Sequence, residues 1–564
     1  MSKDTIQFGI SGAELIAETL AGYGVTHVFF MESTMRNTLI SMEGKGIRRV
    51  LAHSEAAAVY MADGYARIAG TPGVCMSQSV GAANIAAACQ DPFLGRSPVL
   101  AITGKKEPKD QHRNAYQEIP HGPLFESVTK FNVAVETFEQ LPRLLRQALR
   151  EATSGCPGPV HLDMAGGFGG QSIENASGSA SVIIDEPFIR YPAHRPSPEL
   201  DSVEKAAALL KKAERPVIVA GGGVRLSGAG AEILALAETL DAPIAVTLSA
   251  KGVIRENHPL YVGVVGTYSR RSANRTVHEA DLVLFIGSAT GDQVTASWTL
   301  PNPRTTVIQI DINQSELGRN YPNAASIHGD AKVAAAMLVR SLGAKASHPA
   351  WTARVKEFKT DWANDYDALL ASDATPIRPE RLCAEIQKAL PENGILVADT
   401  GFSGIWTGAL VELSKPGQEY IRAAGSLGWG FPASLGAKCA APDRDVICYV
   451  GDGAFWYHQS EMETALRCGI HTVTVINNNS TFGQCIDPIR NNYAGRPGRP
   501  DDLFRFTPTN FAQLANDIGC LGIRVTDPKD IAKALAEAQK ADRPAIIDVV
   551  TDPDARAPAP WLPK

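Results

Sequence analysis

Two short polar stretches, each closing an apolar run, carry the residue types that a hard cation and a phosphate group require. The run from Asp445 to Val450 ends in Gly451-Asp452-Gly453; a helix-like stretch follows, and then a second apolar run that ends in Asn477-Asn478-Asn479. In a parallel βαβ unit both strand ends point the same way. Asp452 and Asn479 are therefore expected together at the C-terminal edge of a sheet, where ligands bind in open α/β folds. A carboxylate and an amide carbonyl make an all-oxygen donor set, suited to Mg²⁺ that keeps part of its shell for phosphate oxygens and water. Gly451 and Gly453 let the backbone come close to a diphosphate. A Gly-Asp-Gly turn or an Asn pair alone is ordinary loop punctuation. The information lies in the pairing, with 24 residues, Ala454 to Asn477, between Gly453 and Asn478.

The elements that must hold these residues follow from the rhythm of the chain. Short β-branched runs alternate with Ala-rich amphipathic stretches: His27 to Phe30, Gly73 to Gln78, Pro98 to Gly104 and Pro159 to Met164, then Pro216 to Ala220, Asp281 to Gly287 and Thr306 to Asp311, then Ile395 to Ala398, Val446 to Val450 and Thr472 to Ile476. That is the pattern of parallel βα units. A Gly-, Ser- and Pro-rich stretch, Gly166 to Pro198, reads as a linker. The expected architecture is α/β, three doubly wound parallel-sheet domains near residues 1–185, 190–345 and 375–555, a division that suits 564 residues. The proline-rich tail from Asp552 should lie along the surface without forming a helix.

Composition narrows the class. A net charge of −6 and a pI near 6.1 leave no electrostatic footprint for nucleic acid. No stretch approaches the apolar length of a membrane span. Nine cysteines without a C-x-x-C pair read as reduced thiols, against a zinc or redox-disulfide site. The cytoplasm is the expected address and a small molecule the expected substrate.

The GDG…NN segment resembles the thiamine diphosphate signature, and the likeness to the acetolactate synthase-like branch of thiamine diphosphate enzymes runs from about residue 8 to residue 550. His53-Ser54-Glu55-Ala56-Ala57, leading to Ala62-Asp63-Gly64-Tyr65-Ala66-Arg67, is similar to that family's H-E-x-x-A…EGYAR segment, and Gly425 to Pro432 to its G-x-M-G-x-G-x-P stretch. The resemblance names the domains pyrimidine-binding, central nucleotide-binding-like and diphosphate-binding. It implies that Glu55 shares a proton with the cofactor's aminopyrimidine, that Leu427 is the apolar wedge under the cofactor, and that the Gly425 carbonyl accepts from its amino group. It implies Mg²⁺ on Asp452, Asn479 and the Thr481 carbonyl. Gly451, Gly453, Ala454, Phe482 and Gly483 would lie about the diphosphate, with Gly401, Phe402 and Ser403 at its terminal phosphate. Glu55 and the diphosphate residues would come from different subunits, in a homodimer or homotetramer.

The reaction is less sharply implied than the cofactor. Tyr116-Gln117-Glu118 resembles the family's F-Q-E, which puts Gln117 near the reacting atoms, and His121 is a candidate for proton transfer. The usual Gly-Pro-Gly is replaced by Val80-Gly81-Ala82-Ala83-Asn84, making Gly81 and Asn84 candidate pocket residues. Glu32, Trp456, His458, Gln484 and Cys485 are open positions that suggest a more polar or larger substrate than pyruvate. In the central domain Gly221-Gly222-Gly223 and Ser288 to Gly291 could cradle a phosphate of FAD, ADP or CoA, although the arginines of the flavin-binding stretch are missing. Arg270, Arg271 and Arg275 form a basic cluster that could receive a nucleotide or CoA phosphate or be as easily a solvated face. The leading reading is 2-oxo acid decarboxylation with carboligation. Its rivals are a 2-hydroxyacyl-CoA or 2-hydroxy ketone lyase and a catalytically silent binding or regulatory protein.

Overall fold

The computed structural model describes residues 5–32, 34–166 and 172–563. Three six-stranded, all-parallel sheets follow one another along the chain. In space the first runs Arg48–Leu51, His27–Phe30, Gly73–Gln78, Val99–Lys105, Val160–Ala165, Phe131–Val135. The third runs Glu419–Arg422, Ile395–Ala398, Val446–Gly451, Val473–Asn478, Ala545–Val550, Leu521–Val525. Numbered within its own domain, each has strand order 2-1-3-4-6-5. The middle sheet, with strands Pro216–Ala220, Ile244–Val246, Tyr261–Val264, Leu282–Ile286, Thr306–Asp311 and Ala325–His328, has order 3-2-1-4-5-6, the arrangement of dinucleotide-binding sheets. The inner strands are buried on both faces and so are apolar without alternation, as in Val446–Gly451 and Leu282–Ile286.

Because the outer two domains share a topology, the helices after their second strands are equivalent. These are Glu55–Ala69 and Gly430–Ala440, and they pack on each other. The contact needs glycine on both sides. A Cβ on Gly64 would sit 2.1 Å from the Ala433 carbonyl oxygen, and one on Gly436 1.8 Å from that of Met61. The two helices thus touch backbone to backbone, and a single apolar cluster runs from Phe29 and Ala57 through Trp429 and Phe431 to Phe511.

The stretch read as a linker is more ordered than its composition suggests, except that residues 167–171 lie outside the described residues. Ser172–Asn175 is a helical turn, and Ser177–Val182 pairs antiparallel with Thr5–Ser11. Small residues hide a period of two there: Ala180 and Val182 are buried while their neighbours are not. The helix Pro349–Leu370 buries Trp351, Val355, Phe358 and Trp362 at helical spacing, and Trp351 Nε1 donates to the Pro216 carbonyl at 3.0 Å. The non-helical tail crosses to the same region. Asn274 donates to the Trp561 carbonyl at 2.9 Å, and the Trp561 ring meets His278.

Candidate functional site

The strand order of the third sheet reverses between Ile395–Ala398 and Val446–Gly451, and the polar residues gather at that switch point. Gly401, with φ 64°, opens the helix Phe402–Leu410. A Cβ on Gly401 would lie 3.1 Å from Gln484 Oε1, one on Gly451 3.7 Å from Ser403 Oγ, and one on Gly483 3.0 Å from the Phe402 ring and 3.6 Å from Asn479 Nδ2. The loops at 401–403, 451–454 and 479–484 therefore form one cluster. Gly453 is fixed by close packing, since a Cβ there would fall 2.5 Å from the Phe482 ring.

Asp452 is 2% exposed and is held by backbone N–H groups, those of Gly453, Asn479 and Ser480 among them. Burial outweighs these donors and pushes its carboxyl up to about 7. Among the described residues no cationic side chain pairs with it. A buried carboxylate with several backbone donors and no counter-ion fits a site made for a cation. Asn479 Oδ1 is oriented by the Thr481 N–H at 3.1 Å and hydroxyl at 2.9 Å. The bridge between Thr481 and Arg505 uses the Ser480 carbonyl and the Phe482 N–H, which leaves the Thr481 carbonyl outside that ladder. Asp452, Asn479 and Thr481 together fit Mg²⁺, and the surrounding glycines fit the diphosphate it would hold.

Glu55 is the first residue of its helix. Ser54 caps that helix by accepting from the Ala57 N–H at 3.1 Å, so the Glu55 carboxylate sits at the favourable end of the helix dipole. Asn84 donates to Glu55 Oε2 at 3.0 Å. At Gly81 a Cβ would lie 2.5 Å from Glu55 Oε1 and 2.0 Å from Ser77 Oγ, so any side chain there would displace one or both. Both candidate pocket positions in that stretch, Gly81 and Asn84, thus meet Glu55 itself.

Leu427 is half-buried, and Gly425 is open, with nothing within 4 Å of a Cβ on it. Two buried acids hold this segment, and sequence reading passed over both roles. Asp91, from the first domain, accepts from the N–H groups of Ala424, Gly425 and Ser426 at 2.9–3.2 Å. Asp399 accepts from Gly430 at 2.6 Å, Gly428 at 3.1 Å and Thr400 at 2.8 Å, and burial pushes its carboxyl up to about 6. Arg67 ties Asp91 to Asp63 at 3.1 and 2.6 Å, and Asp63 accepts from Trp429 Nε1 at 2.9 Å. The signal for Asp399 was its place at a strand end before the 401–403 loop; Asp91 lies inside a helix, Ser79–Gly95, with no local signature.

The open positions divide. Glu32 pairs with Arg36 at 2.7 Å on the surface, and its neighbour Ser33 lies outside the described residues. His458 is buried, its imidazole pKa pushed down to about 4, and its Nδ1 lies 3.2 Å from Ser54 Oγ, so it joins the two outer domains. Trp456 packs edge-on against Phe511. Gln484 and Cys485 are exposed beside the 401–403 loop, and Gln484 donates to the Tyr268 hydroxyl at 3.4 Å, which brings the middle domain to the site. Gln117, φ 62°, reaches Gln78 at 3.4 Å. His121 is 1% exposed with both ring nitrogens engaged, so its imidazole has no direct path to solvent.

Where the three domains meet there is a cavity of about 560 Å³, lined by Gly222, Ser249, Ser288, Asp311, Arg225 and Arg422 among others. Of the three central glycines Gly222 and Gly223 line it. Gly221 and Gly223 are demanded by the approach of Gly287, whose backbone would lie 2.2 and 2.7 Å from their Cβ atoms. The arginine cluster does not serve it. Arg270 pairs with Glu412 at 2.8 Å, Arg271 with Asp365 at 2.6 Å and Arg275 with Asp361 at 2.6 Å, because the helix Pro349–Leu370 brings two of those acids over it.

Three family models match the chain: the thiamine pyrophosphate enzyme N-terminal TPP binding domain over residues 10–124, the central domain over 203–338 and the C-terminal TPP binding domain over 399–549. Similar proteins include a "Probable acetolactate synthase large subunit" of Methanocaldococcus jannaschii, 32% identical over 97% of this chain and 93% of that one. The acetolactate synthase large subunit of Corynebacterium glutamicum is 30% identical over 90% and 81% of the two chains. The acetolactate synthase isozyme 1 large subunit of Escherichia coli is 29% identical over 90% and 88%.

Proposed function

The chain belongs to the thiamine pyrophosphate enzymes, in the acetolactate synthase-like branch, and from that premise we propose that it decarboxylates a 2-oxo acid and joins the acyl unit to a carbonyl acceptor, using thiamine diphosphate and Mg²⁺. The observation that carries the reading is Asp452: a buried carboxylate at the switch point of the sheet, ringed by backbone donors and without a cationic partner among the described residues.

Asp452 and Asn479, with the Thr481 carbonyl, would hold Mg²⁺, and Gly401, Phe402, Ser403, Gly451, Gly453, Ala454, Phe482 and Gly483 would surround the diphosphate. Thiamine diphosphate supplies, when bound, an acidic carbon that adds to a carbonyl and takes up the electrons released when the adjacent C–C bond breaks. Glu55 holds the proton exchanged with the aminopyrimidine. Asn84, donating to Oε2 at 3.0 Å, orients that carboxylate. Leu427 offers apolar bulk and the Gly425 carbonyl an acceptor, both on a segment fixed by Asp91 and Asp399. Gln117 orients the substrate. In a homodimer or homotetramer Glu55 faces the diphosphate residues of a second subunit. All nine cysteines are free thiols, which supports a reducing compartment, the cytoplasm.

A second reading, cleavage of a 2-hydroxyacyl-CoA or 2-hydroxy ketone, is favoured by the cavity at the domain junction, where Arg225, Arg422 and the serine hydroxyls of 249 and 288 could receive a nucleotide phosphate. The test is the protein reconstituted with thiamine diphosphate and Mg²⁺, incubated with 2-oxo acids, 2-hydroxy ketones and 2-hydroxyacyl-CoAs, with products and trapped adducts read by mass spectrometry. Carbon dioxide and a carboligation product from a 2-oxo acid are expected. Cleavage confined to hydroxy ketones or CoA esters transfers the assignment to the second reading. Thermal-shift titration with FAD, ADP and CoA separately identifies the occupant of the cavity.

A further inference from the structure

The C-terminal edge of the first sheet carries a row of polar residues that the reaction as described does not use. Ser77, Thr103 and Asp163 stand at one register on three neighbouring strands. The row begins beside Glu55, since Ser77 Oγ and Glu55 Oε1 both crowd the absent Cβ of Gly81. It ends at Asp163, which is 4% exposed and whose Oδ1 accepts from the Thr103 hydroxyl at 2.8 Å.

His121 docks onto that row. Its Nδ1 lies 2.8 Å from Asp163 Oδ1 and 3.2 Å from Thr103 Oγ1, and its Nε2 lies 3.2 Å from Ser79 Oγ. Ser79, 3% exposed and first in its helix, donates its hydroxyl to the backbone carbonyl of Gln117. Donor counting fixes the direction of the chain. Ser79 has one proton and gives it to Gln117, so Nε2 must carry a proton and donate to Ser79. The Thr103 hydroxyl also lies 2.7 Å from His161 Nε2, so its one proton serves two acceptors, and the 2.8 Å contact between His121 Nδ1 and Asp163 is a separate one. The chain of contacts runs Asp163, His121, Ser79, Gln117. Its last member is a non-glycine residue at φ 62°, a left-handed conformation that needs outside support.

We propose that Ser79, His121 and Asp163 form a buried relay that positions Gln117, and that His121 acts on the substrate through this relay and not by contact. The proposal rests on the reading that Gln117 meets the substrate. The relay makes Gln117 a placed residue in a loop, 106–122, that otherwise has little regular structure. Ser79, His121 and Asp163 are accordingly positioning residues.

The experiment uses the full-length reconstituted protein and the variants Ser79→Ala, His121→Leu, His121→Gln and Gln117→Ala, with the first two also combined with Gln117→Ala. Ser79→Ala and His121→Leu should each lower kcat/KM by roughly ten- to one-hundred-fold, the size of a buried hydrogen bond left unpaired, mainly through KM. Neither should lower it further once Gln117 is Ala, because the relay then has nothing to place. His121→Gln, whose amide can replace Nε2, should recover most of the loss. Amide hydrogen exchange over 112–122 should accelerate in Ser79→Ala and His121→Leu and not in His121→Gln. Losses that add to that of Gln117→Ala, or exchange over 112–122 that stays at the wild-type rate, overturn the relay. Should the wild type turn over no carbonyl substrate, the proposed function falls, and the exchange rates alone then decide whether the relay holds the loop.

Discussion

The first and third sheets have one topology and, in the proposed function, divide the chemistry between them. Both run 2-1-3-4-6-5, and both place ligand-facing residues at the C-terminal edge. At the third, the edge holds glycines, Asp452 and Asn479, a surface for a diphosphate and its cation. At the first, the edge holds Glu55, Asn84, Gln117 and the buried Ser79, His121 and Asp163, groups to which the proposed function gives the moving and steadying of protons. Equivalent positions have diverged: the second strand leads to Glu55 in one domain and to the Gly425–Gly430 segment in the other. The topology therefore sets where a site can be, and the loop residues set what it does.

If the division is real, damage on the two sides must differ in kind. Glu55→Gln removes a proton-holding group and nothing else. It should lower kcat by on the order of 10²–10⁴-fold, with cofactor binding, followed by calorimetry, near the wild-type value. A variant that turns over normally would remove Glu55 from the mechanism. Asp452→Ala should act through retention instead, weakening Mg²⁺ and thiamine diphosphate binding by roughly thirty-fold or more, as expected when one partner of a buried charged contact is removed. Equilibrium dialysis against both ligands checks it. Undiminished binding would mean that the cation is held elsewhere.

The seam between the two domains offers a third test. Gly64→Val forces a side chain into the Ala433 carbonyl, where even a Cβ would lie 2.1 Å from the oxygen. Overpacking of this kind costs about 1–3 kcal/mol, so the melting temperature should fall by about 3 °C or more. Gly291→Ala is the control, having open space and an ordinary backbone angle. Equal melting temperatures for the two variants would show that the helices are not held backbone to backbone.

The seam was also where the sequence was least legible. Inner strands such as His27–Phe30, Pro216–Ala220 and Ile395–Ala398 stand out because burial on both faces makes them unbroken apolar runs. The edge strands Arg48–Leu51, Glu419–Arg422 and Leu521–Val525 carry charge, as strands with one unpaired side do, and are absent from the apolar runs of the sequence. Asp452 and Asn479 were readable because a short βαβ unit sets their separation locally. Asp91 was not: its contacts with Ala424 to Ser426 span more than 330 residues and leave no local trace. Arg270, Arg271 and Arg275 misled for the same reason, since their acidic partners lie far along the chain.

The smallest expected effect separates the two acids that hold the Leu427 segment. Asp399 sits in the third domain with its carboxyl pushed from 3.8 up to about 6 by burial. A raised folded-state pKa means that the folded protein binds the proton more tightly than the unfolded chain. The group's contribution is fully present below the unfolded pKa and is lost as pH rises through about 6, so stability falls across that window. Asp399→Asn cannot ionise. Its urea midpoint should lack up to one proton's worth of this decline, at most about 1.4 kcal/mol per pH unit, and the wild-type and variant curves should converge in slope above pH 6.5 or so. Asp91 differs in being tied to Arg67 at 3.1 Å. Parallel curves for wild type and Asp399→Asn from pH 4 to 6 would show that the Gly428 and Gly430 N–H groups keep the Asp399 carboxylate ionised throughout.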